Sequence, residues 1–258
     1  MKPAAIATSF LILFLLTTNS VYCGDAPSRD MEPVAGEEES YDPFLADEDG
    51  LEDPLPAQIA DPIEGYNRKM FVLNDWLYFY SLEPTARAYA YVLPEPARKC
   101  IKRFFINTTT PGRFVNCLLQ GKIKGAGIEL SRLVINTTIG IGGLFDPARN
   151  YWNLSRNNED TGQTFGHYGM GHGFYFVLPL LGPSSGRDAL GTILDFALDP
   201  LLYVNIKLWE NGTIRFVRTV NDSSLILGEY EDLKKAAIDP YISLRNAFVQ
   251  YRKRAVAQ

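Results

Sequence analysis

Long segments of the chain carry apolar residues at helical spacing, and short segments rich in glycine and proline separate them. Residues 64–80 (EGYNRKMFVLNDWLYFY) are strongly apolar and aromatic, with a spacing that favours a helix. The helical pattern in residues 94–112 starts at a proline and stops before Pro111, and proline is typical of both helix boundaries. The pattern therefore predicts one helix in each segment.

The helix predicted within 94–112 has two chemically different faces. Its apolar residues recur at i, i+3, i+4, i+7 and i+8, and they are Ala97, Cys100, Ile101, Phe104 and Phe105. Four basic residues lie on the other face, and they are Arg98, Lys99, Lys102 and Arg103. Such a helix either buries one side and exposes the other to water, or lies in a lipid interface with its basic residues at phosphates.

A third helical pattern covers residues 123–148 and contains a glycine-rich break. Ala126, Leu130 and Val134 fall on one apolar stripe of this segment. The sequence Gly140-Ile141-Gly142-Gly143 then interrupts the pattern, because glycine is poorly suited to a helix interior.

The second half of the chain predicts three more helices and one hairpin. Residues 187–209 are apolar on nearly every side, so this segment must be buried in protein or touch lipid. Helices are also predicted near 222–236 and 239–255, and the glycine-rich run 165–182 predicts a short hairpin. The sequence thus predicts a mostly α fold in a single domain with a short hairpin.

The first 62 residues differ from the rest in composition. Residues 1–23 combine Lys2, an apolar stretch and a polar end, which together are typical of a secretory signal peptide. Residues 24–62 contain 13 acidic residues and one basic residue, Arg29, so we expect an acidic disordered tether. The folded domain is predicted to span 63–258.

The charge of the folded part is opposite in sign to that of the whole chain. The chain has 25 basic and 30 acidic residues, and its net charge is −5. Removing 2 basic and 13 acidic residues before position 63 leaves 23 basic and 17 acidic residues, a net charge of +6. In an exported protein this balance favours an anionic lipid surface as the partner, and it argues against nucleic acid.

The three cysteines leave two questions open. Cys23 closes the signal segment and is a candidate for lipid attachment, but Tyr22 departs from the small residue that this modification requires, so ordinary cleavage competes with it. Cys100 and Cys117 either pair, which would contribute about 3 kcal/mol on the chain-entropy model, or remain two small buried thiols.

One motif suggests a serine hydrolase. The sequence Gly182-Pro183-Ser184-Ser185-Gly186 fits G-x-S-x-G, the turn that carries the nucleophile in α/β-hydrolases. In that fold the catalytic histidine follows the serine, whereas His167 and His172 both precede Ser184. The motif is better explained as a turn that caps a helix, with Ser184 or Ser185 as the N-cap.

The sequence predicts no metal site and no cofactor. His167 and His172 are five residues apart, and no H-E-x-x-H motif or second group of ligands accompanies them. The glycine-rich run around them matches neither common phosphate-binding pattern. Without a catalytic constellation, the chain is predicted not to be an enzyme.

Four stretches resemble the MlaA/VacJ lipoprotein family. They are DPIEGYNRKMFVLND (61–75), RLVINTTIGIGGLFDPA (132–148), EDTGQTFGHYGMGHGFYFVLPLLGPSSGRDALG (159–191) and DPYISLRNAFVQYR (239–252). The resemblance implies a ring of in-plane amphipathic helices that is monotopic in the periplasmic leaflet of the outer membrane. It also implies a channel through which mislocalised phospholipids leave the outer leaflet for a soluble periplasmic lipid carrier, which maintains lipid asymmetry. It further implies an association with a trimeric porin.

The resemblance also assigns roles to particular residues. Gly140, Gly142 and Gly143 would form a hinge that gates the channel, with Asp146 at its end; a helix C-cap is the alternative interpretation of these glycines. The four basic residues of the 94–112 helix would face lipid headgroups. Two other functions compete: an envelope lipid hydrolase that uses Ser184, and a structural or surface-spread protein of the envelope.

Overall fold

The fold is mostly helical. The computed structural model describes residues 59–204 and 207–257. The helices are α1 (Glu64–Leu77), α2 (Glu83–Val92), α3 (Glu95–Thr108), α4 (Thr110–Leu119), α5 (Ile123–Thr138), α6 (Pro147–Trp152), α7 (Thr161–His167), α8 (Gly186–Ala197), α9 (Leu208–Ser224), α10 (Glu229–Ala236) and α11 (Pro240–Ala257). A π-helical stretch, Tyr78–Leu82, joins α1 to α2, and Pro200–Leu202 forms a short 3₁₀ turn.

Proline and capping side chains set several helix boundaries. Proline occupies the first turn of α2, α3, α4 and α6, where its missing N–H costs no intrahelical hydrogen bond. Asp146, Asp160 and Ser185 cap α6, α7 and α8, and each side chain accepts a hydrogen bond from a backbone N–H of the first turn. The interpretation of Ser185 as an N-cap is therefore confirmed.

The hairpin lies closer to the C-terminus than predicted. Strands β1 (Tyr175–Leu178) and β2 (Gly182–Ser185) pair antiparallel, with Tyr175 opposite Ser185. The prediction of a hairpin within 165–182 was wrong in its first half, because α7 ends there and a glycine-rich loop follows. Glycine composition marked the region, but it did not distinguish the loop from the strands.

Two asparagines of α1 take the place of a third strand beside β1. Asn67 donates to the carbonyl of Tyr175 (3.2 Å) and accepts from the N–H of Val177 (2.8 Å). Asn74, two turns later on the same helix face, donates to Leu178 (2.9 Å) and accepts from Leu180 (2.6 Å). The outer edge of β1 thus has its backbone groups paired by side chains, which attaches the hairpin to α1.

The apolar core is small. Tyr175, Val177, Tyr241, Phe248 and Val249 form its centre between the hairpin, α1 and α11, and Ile59, Met70 and Phe71 pack against it. Elsewhere in the described chain, buried polar side chains outnumber buried apolar ones, and many large apolar side chains are exposed. No helix in the described ranges has the length and apolarity needed to cross a bilayer.

The folded domain begins earlier than the predicted residue 63. Ile59 packs against the core, and the carbonyl of Ala60 accepts a hydrogen bond from Tyr175. Asp61 accepts from Asn67 (2.7 Å), Arg245 (3.1 Å) and the hydroxyl of Tyr241. Contacts with the folded part thus begin four residues before the predicted boundary, at Ile59. The signal segment and the rest of the tether lie outside the described residues.

Several helices were missed or found only in part. Helices α2, α4 and α6 were missed, and α9 was predicted only at its two ends, within 187–209 and near 222–236. In α4 and α9, buried polar residues interrupt the apolar pattern. Asn116, Gln120, Arg215 and Asn221 are buried polar residues in or beside these two helices. The segment 187–209 contains α8 and then breaks at Asp199, whose side chain accepts a hydrogen bond from the N–H of Leu201.

A network of charged side chains joins α11 to α7 and α8. Arg252 is buried and contacts Asp160 (2.6 Å) and Asp188 (2.6 Å), and Arg187 also pairs with Asp188 (3.1 Å). Asp195 lies in the same region without an ion-pair partner among the described residues. Its Oδ1 accepts from the N–H (3.0 Å) and hydroxyl (2.5 Å) of Thr161 and from Asn116 (3.2 Å).

Replacing Asn67 with alanine should destabilise the fold. The backbone groups of Tyr175 and Val177 would remain buried without partners, which costs about 2–4 kcal/mol for two groups. The expected result is a lower midpoint of chemical unfolding in detergent, measured by tyrosine and tryptophan fluorescence. Tyr66→Ala, at an exposed position of the same helix, is the control, and equal midpoints for the two variants would contradict the role of the asparagine.

Asp195 predicts a pH dependence of stability. Burial raises the pKa of Asp195 to about 6 from an ordinary value of 3.8. The folded state therefore holds this proton more tightly than the unfolded state, so the contribution of Asp195 to stability is fully present below pH 4 and is lost as the pH rises to about 6. The loss is at most about 3 kcal/mol.

Asp195→Asn removes this titration and keeps an oxygen that can accept the three hydrogen bonds. Relative to the unmodified protein, the variant should gain melting temperature between about pH 4 and about pH 6, and the difference should level off at higher pH. Differential scanning fluorimetry in detergent measures this difference. A difference that does not change with pH would show that the Asp195 carboxylate carries no burial cost.

Candidate functional site

Helix α5 carries its polar residues inward and its apolar residues outward. Glu129, Arg132 and Asn136 are buried, and Glu129 is fully inaccessible. Leu130 and Val134, from the predicted apolar stripe, have exposed fractions of 48% and 54%. The predicted apolar stripe is present, but Leu130 and Val134 point away from the protein interior. This arrangement is the reverse of a helix at the surface of a water-soluble protein.

A buried ion pair fixes α5 against α4. Arg113 contacts Glu129 at 2.8 Å and donates to Thr109, Thr110 and the carbonyl of Ile106. Burial lowers the pKa of Arg113, and the charge of Glu129 opposes that effect. Since removing one member of such a pair leaves a buried charge unpaired, the two residues act as a unit.

Asp146 anchors the end of the glycine turn that follows α5. Its carboxylate contacts Arg132 (2.8 Å) and Asn136 (2.9 Å), and it caps α6 through the N–H of Arg149 (3.1 Å). Burial raises the pKa of Asp146, but the hydrogen bonds and the charge of Arg132 outweigh burial and hold the pKa below its ordinary value. Asp146 is therefore ionised at neutral pH and holds both ends of the turn together.

The three glycines of the turn have different surroundings. A Cβ on Gly140 would lie 2.4 Å from the carbonyl oxygen of Asn136, and a Cβ on Gly143 would lie 2.4 Å from the Cβ of Asn107. A Cβ on Gly142 would meet no atom within 4 Å. Gly142 and Gly143 both have positive φ angles, of 69° and 95°. The turn thus needs glycine at 140 for space, at 142 for conformation and at 143 for both.

Asn107 of α3 holds the turn from the side. Its Nδ2 donates to the hydroxyl of Thr137 (3.0 Å) and to the carbonyl of Gly142 (3.4 Å). Ile139, Ile141 and Phe145 project from the same turn and are exposed. One side of the turn is therefore held by polar contacts with Asn107, and its other side exposes the apolar side chains of Ile139, Ile141 and Phe145.

The structure divides the four basic residues predicted on one face of α3. Arg98 donates to the carbonyl (2.5 Å) and hydroxyl (3.1 Å) of Ser224, so its charge is used within the protein. Lys99 is exposed and pairs with Glu95 at 2.6 Å. Lys102 and Arg103 are half-buried and have no ion-pair partner among the described residues. A role at headgroups thus remains a proposal for Lys99, Lys102 and Arg103, and we withdraw Arg98 from it.

The remaining candidates are separate from this turn. Ser184 lies buried in β2, and its hydroxyl donates to the carbonyl of Ser185 (3.4 Å). Its neighbours Arg187 and Asp188 form the structural pair described above. Cys100 and Cys117 are free thiols, so the paired alternative was wrong. Cys23 lies outside the described residues, and its lipid attachment stays a prediction.

Sequence reasoning missed the polar partners of the turn. Asn107, Arg113, Glu129, Arg132 and Asn136 were not singled out, although their spacing contained a usable signal. Glu129, Arg132 and Asn136 follow one another at i, i+3 and i+7 on α5, which places them on one helix face. The polar face of an amphipathic helix is normally expected to face water. Under that assumption, the three polar residues of α5 were not recognised as buried.

Substitutions at Gly142 and Gly143 should distinguish the cost of a positive φ angle from the cost of a steric clash. Gly142→Ala adds only the strain of a positive φ, which costs about 1–2 kcal/mol. Gly143→Ala adds the same strain and a close contact with Asn107, for a total of about 3 kcal/mol or more. Chemical unfolding in detergent measures both losses. Equal losses would contradict the close packing of Gly143 against α3.

Comparison with known proteins identifies the family. The family model described as MlaA lipoprotein matches residues 59–255. The intermembrane phospholipid transport system lipoprotein MlaA of Escherichia coli (strain K12) is 31% identical over 194 residues, 74% of this chain and 76% of the relative. An uncharacterized protein of Rickettsia conorii is 31% identical over 243 residues, 94% of both chains.

A solved structure gives the same result. It belongs to work on the structural basis for maintenance of bacterial outer membrane lipid asymmetry, and its TM-score with this chain is 0.68 at 34% identity. The match covers 76% of this chain and 99% of the other. The family resemblance noted in the sequence is confirmed, and the chain belongs to the MlaA lipoprotein family.

Proposed function

We propose that this protein is the outer-membrane component of a phospholipid transport system that maintains lipid asymmetry. In this role it removes mislocalised phospholipids from the outer leaflet. The observation that carries the proposal is the inverted helix α5, whose polar residues are buried while Leu130 and Val134 are exposed. Exposed apolar faces need an apolar environment, and a polar interior offers a lipid headgroup a path that acyl chains do not. The names of the relatives support the same activity.

The exposed side chains suggest how the protein lies in the membrane. Apolar residues are exposed on α1, α2, α5 and α8, whereas α10 and the outer face of α11 are mostly polar or charged. A monotopic position in the periplasmic leaflet fits this division, with α10 and α11 in water and the other helices among acyl chains. Trp76 and Tyr80, stacked at 5.4 Å and exposed, suit the level of the headgroups.

The glycine turn is the proposed gate of the channel. Asp146 and Asn107 fix its base, and the open space around Gly142 leaves the middle of the turn room to change conformation. Movement of the turn would carry the exposed Ile141 and Phe145 across the lipid path. The phospholipid would then pass to a soluble periplasmic carrier, and a trimeric porin would hold the ring in place.

The test is the phospholipid content of the outer leaflet in cells that lack the gene. Deletion should raise surface-accessible phosphatidylethanolamine, measured by labelling with an amine reagent that does not cross the membrane. The wild-type gene and Ser184→Ala should both restore the low level, because no covalent step is required. Gly142→Val should restore it only in part, since a β-branched residue stiffens the turn at a positive φ.

The other outcomes point to the competing functions. Restoration by the wild type but not by Ser184→Ala would indicate a lipid hydrolase. No rise on deletion, together with a defect in envelope integrity or surface spread, would indicate a structural role. Full restoration by Gly142→Val would show that the turn is a helix C-cap and not a gate.

A further inference from the structure

Helices α3 and α9 are held side by side in antiparallel orientation. Arg98 of α3 donates to the carbonyl and hydroxyl of Ser224, and Asn221 donates to the carbonyl of Arg98 (3.0 Å). Two turns further along α3, the guanidinium of Arg218 lies 5.9 Å from the centre of the Phe105 ring. These contacts fix which residues of the two helices face one another.

Lys102 and Asp222 lie between these two fixed contacts, and Arg218 belongs to the second of them. Lys102 is four residues after Arg98 and three before Phe105, so it lies on the face of α3 that packs against α9. Arg218 and Asp222 are four residues apart on the facing side of α9. The charges of Lys102 and Arg218 both act on Asp222, and so does the charge of Arg156 from the segment before α7.

The charged groups of this cluster have few contacts within the described chain: Arg218 lies over the Phe105 ring, and the Asn221 side chain forms a hydrogen bond with Asp222. Lys102 and Arg218 make no ion pair with any described residue, although Arg113, Arg132, Arg215 and Arg252 all do. The Oδ1 atom of Asp222 is buried and has no hydrogen-bond partner in the described part. Because a buried carboxylate oxygen without a partner is costly, its retention points to a ligand that supplies a donor.

Asp222 is also kept at a cost to stability. Burial raises the pKa of Asp222, and the nearby cations offset that effect only in part. A structural ion pair would show the opposite direction, with a lowered carboxylate pKa. Asp195 shows the same direction of shift, so it is Lys102 and Arg218, two cations beside Asp222 without an ion-pair partner among the described residues, that point to a ligand.

We propose that Lys102, Arg218 and Asp222 bind the zwitterionic headgroup of an aminophospholipid. The phosphate lies between the ammonium of Lys102 and the guanidinium of Arg218, and the headgroup ammonium donates to Oδ1 of Asp222. This inference rests on the proposed function and specifies the lipid that the interior accepts. The site should bind choline lipids less tightly than ethanolamine lipids, because a quaternary ammonium has no N–H to donate to Asp222.

The experiment measures binding of short-chain lipids to the purified full-length protein in detergent. The probes are dihexanoyl phosphatidylethanolamine, dihexanoyl phosphatidylcholine and inorganic phosphate, each titrated by calorimetry. Lys102→Gln and Arg218→Gln should each weaken binding of both lipids about tenfold, which is the size expected for a lost charge-assisted hydrogen bond. Lys235→Gln, at an exposed position of α10, is the matched control and should leave binding unchanged.

Asp222→Asn separates the ammonium contact from the phosphate contact. It should weaken binding of the ethanolamine lipid about tenfold, leave the choline lipid unchanged and raise the melting temperature of the protein. A purely structural role for Asp222 would not give both a higher melting temperature and a loss of preference for the ethanolamine lipid. A fall in melting temperature with an unchanged ratio of the two lipid affinities would overturn the proposal.

Two further outcomes would also overturn the headgroup site. Inorganic phosphate that binds as tightly as the lipids would show a free phosphate site. Wild-type protein that binds neither lipid, or Lys102→Gln and Arg218→Gln variants that bind as tightly as Lys235→Gln, would show that the cluster binds no headgroup. The proposed function is judged separately, because restoration of outer-leaflet composition by the wild-type gene would support transport whatever the titrations show.

Discussion

The fold depends on satisfying polar groups that are buried inside a small protein. In the described chain Glu129, Arg132, Asn136 and Asn67 are among the least accessible side chains, and each has specific partners. A buried polar group without a partner costs about as much as a well-packed apolar residue contributes, so these contacts must form together or not at all. Hydrogen bonds and ion pairs between helices therefore take over much of the role that apolar packing has in water-soluble domains.

The need to pair buried polar groups inside the protein also explains why apolar residues lie on its surface. Polar residues directed inward leave the apolar residues of α1, α5 and α8 outside, where water would disfavour them. Within the described chain, the conventional apolar core lies between the hairpin, α1 and α11, and of these two helices α11 has the mostly polar outer face. A protein placed between lipid and water accounts for both kinds of packing.

The sequence predicted the helices with a long, continuous apolar stripe, including α5, whose interior face is polar, and it missed shorter helices such as α2 and α4. α1, α5 and α11 were found within a few residues, whereas α4 was missed and α9 was found only in part. The glycines of the turn and Asp146 were named from resemblance, but their partners Asn107 and Arg132 lie 14 or more residues away and are brought close only by folding. Hydrophobic periodicity identifies the apolar and the polar face of a helix. It does not indicate which of the two faces is directed into the protein when the surroundings are lipid.

The most direct test of this account is the position of single tryptophans relative to the bilayer. Trp76 and Trp209 are exposed on α1 and α9, and Tyr251→Trp would place a third probe on the outer face of α11. In vesicles with brominated acyl chains, the account predicts quenching of Trp76 and Trp209 fluorescence and little quenching at position 251. Equal quenching at all three positions, or none at any, would contradict a fold that directs its apolar helix faces to lipid and α11 to water.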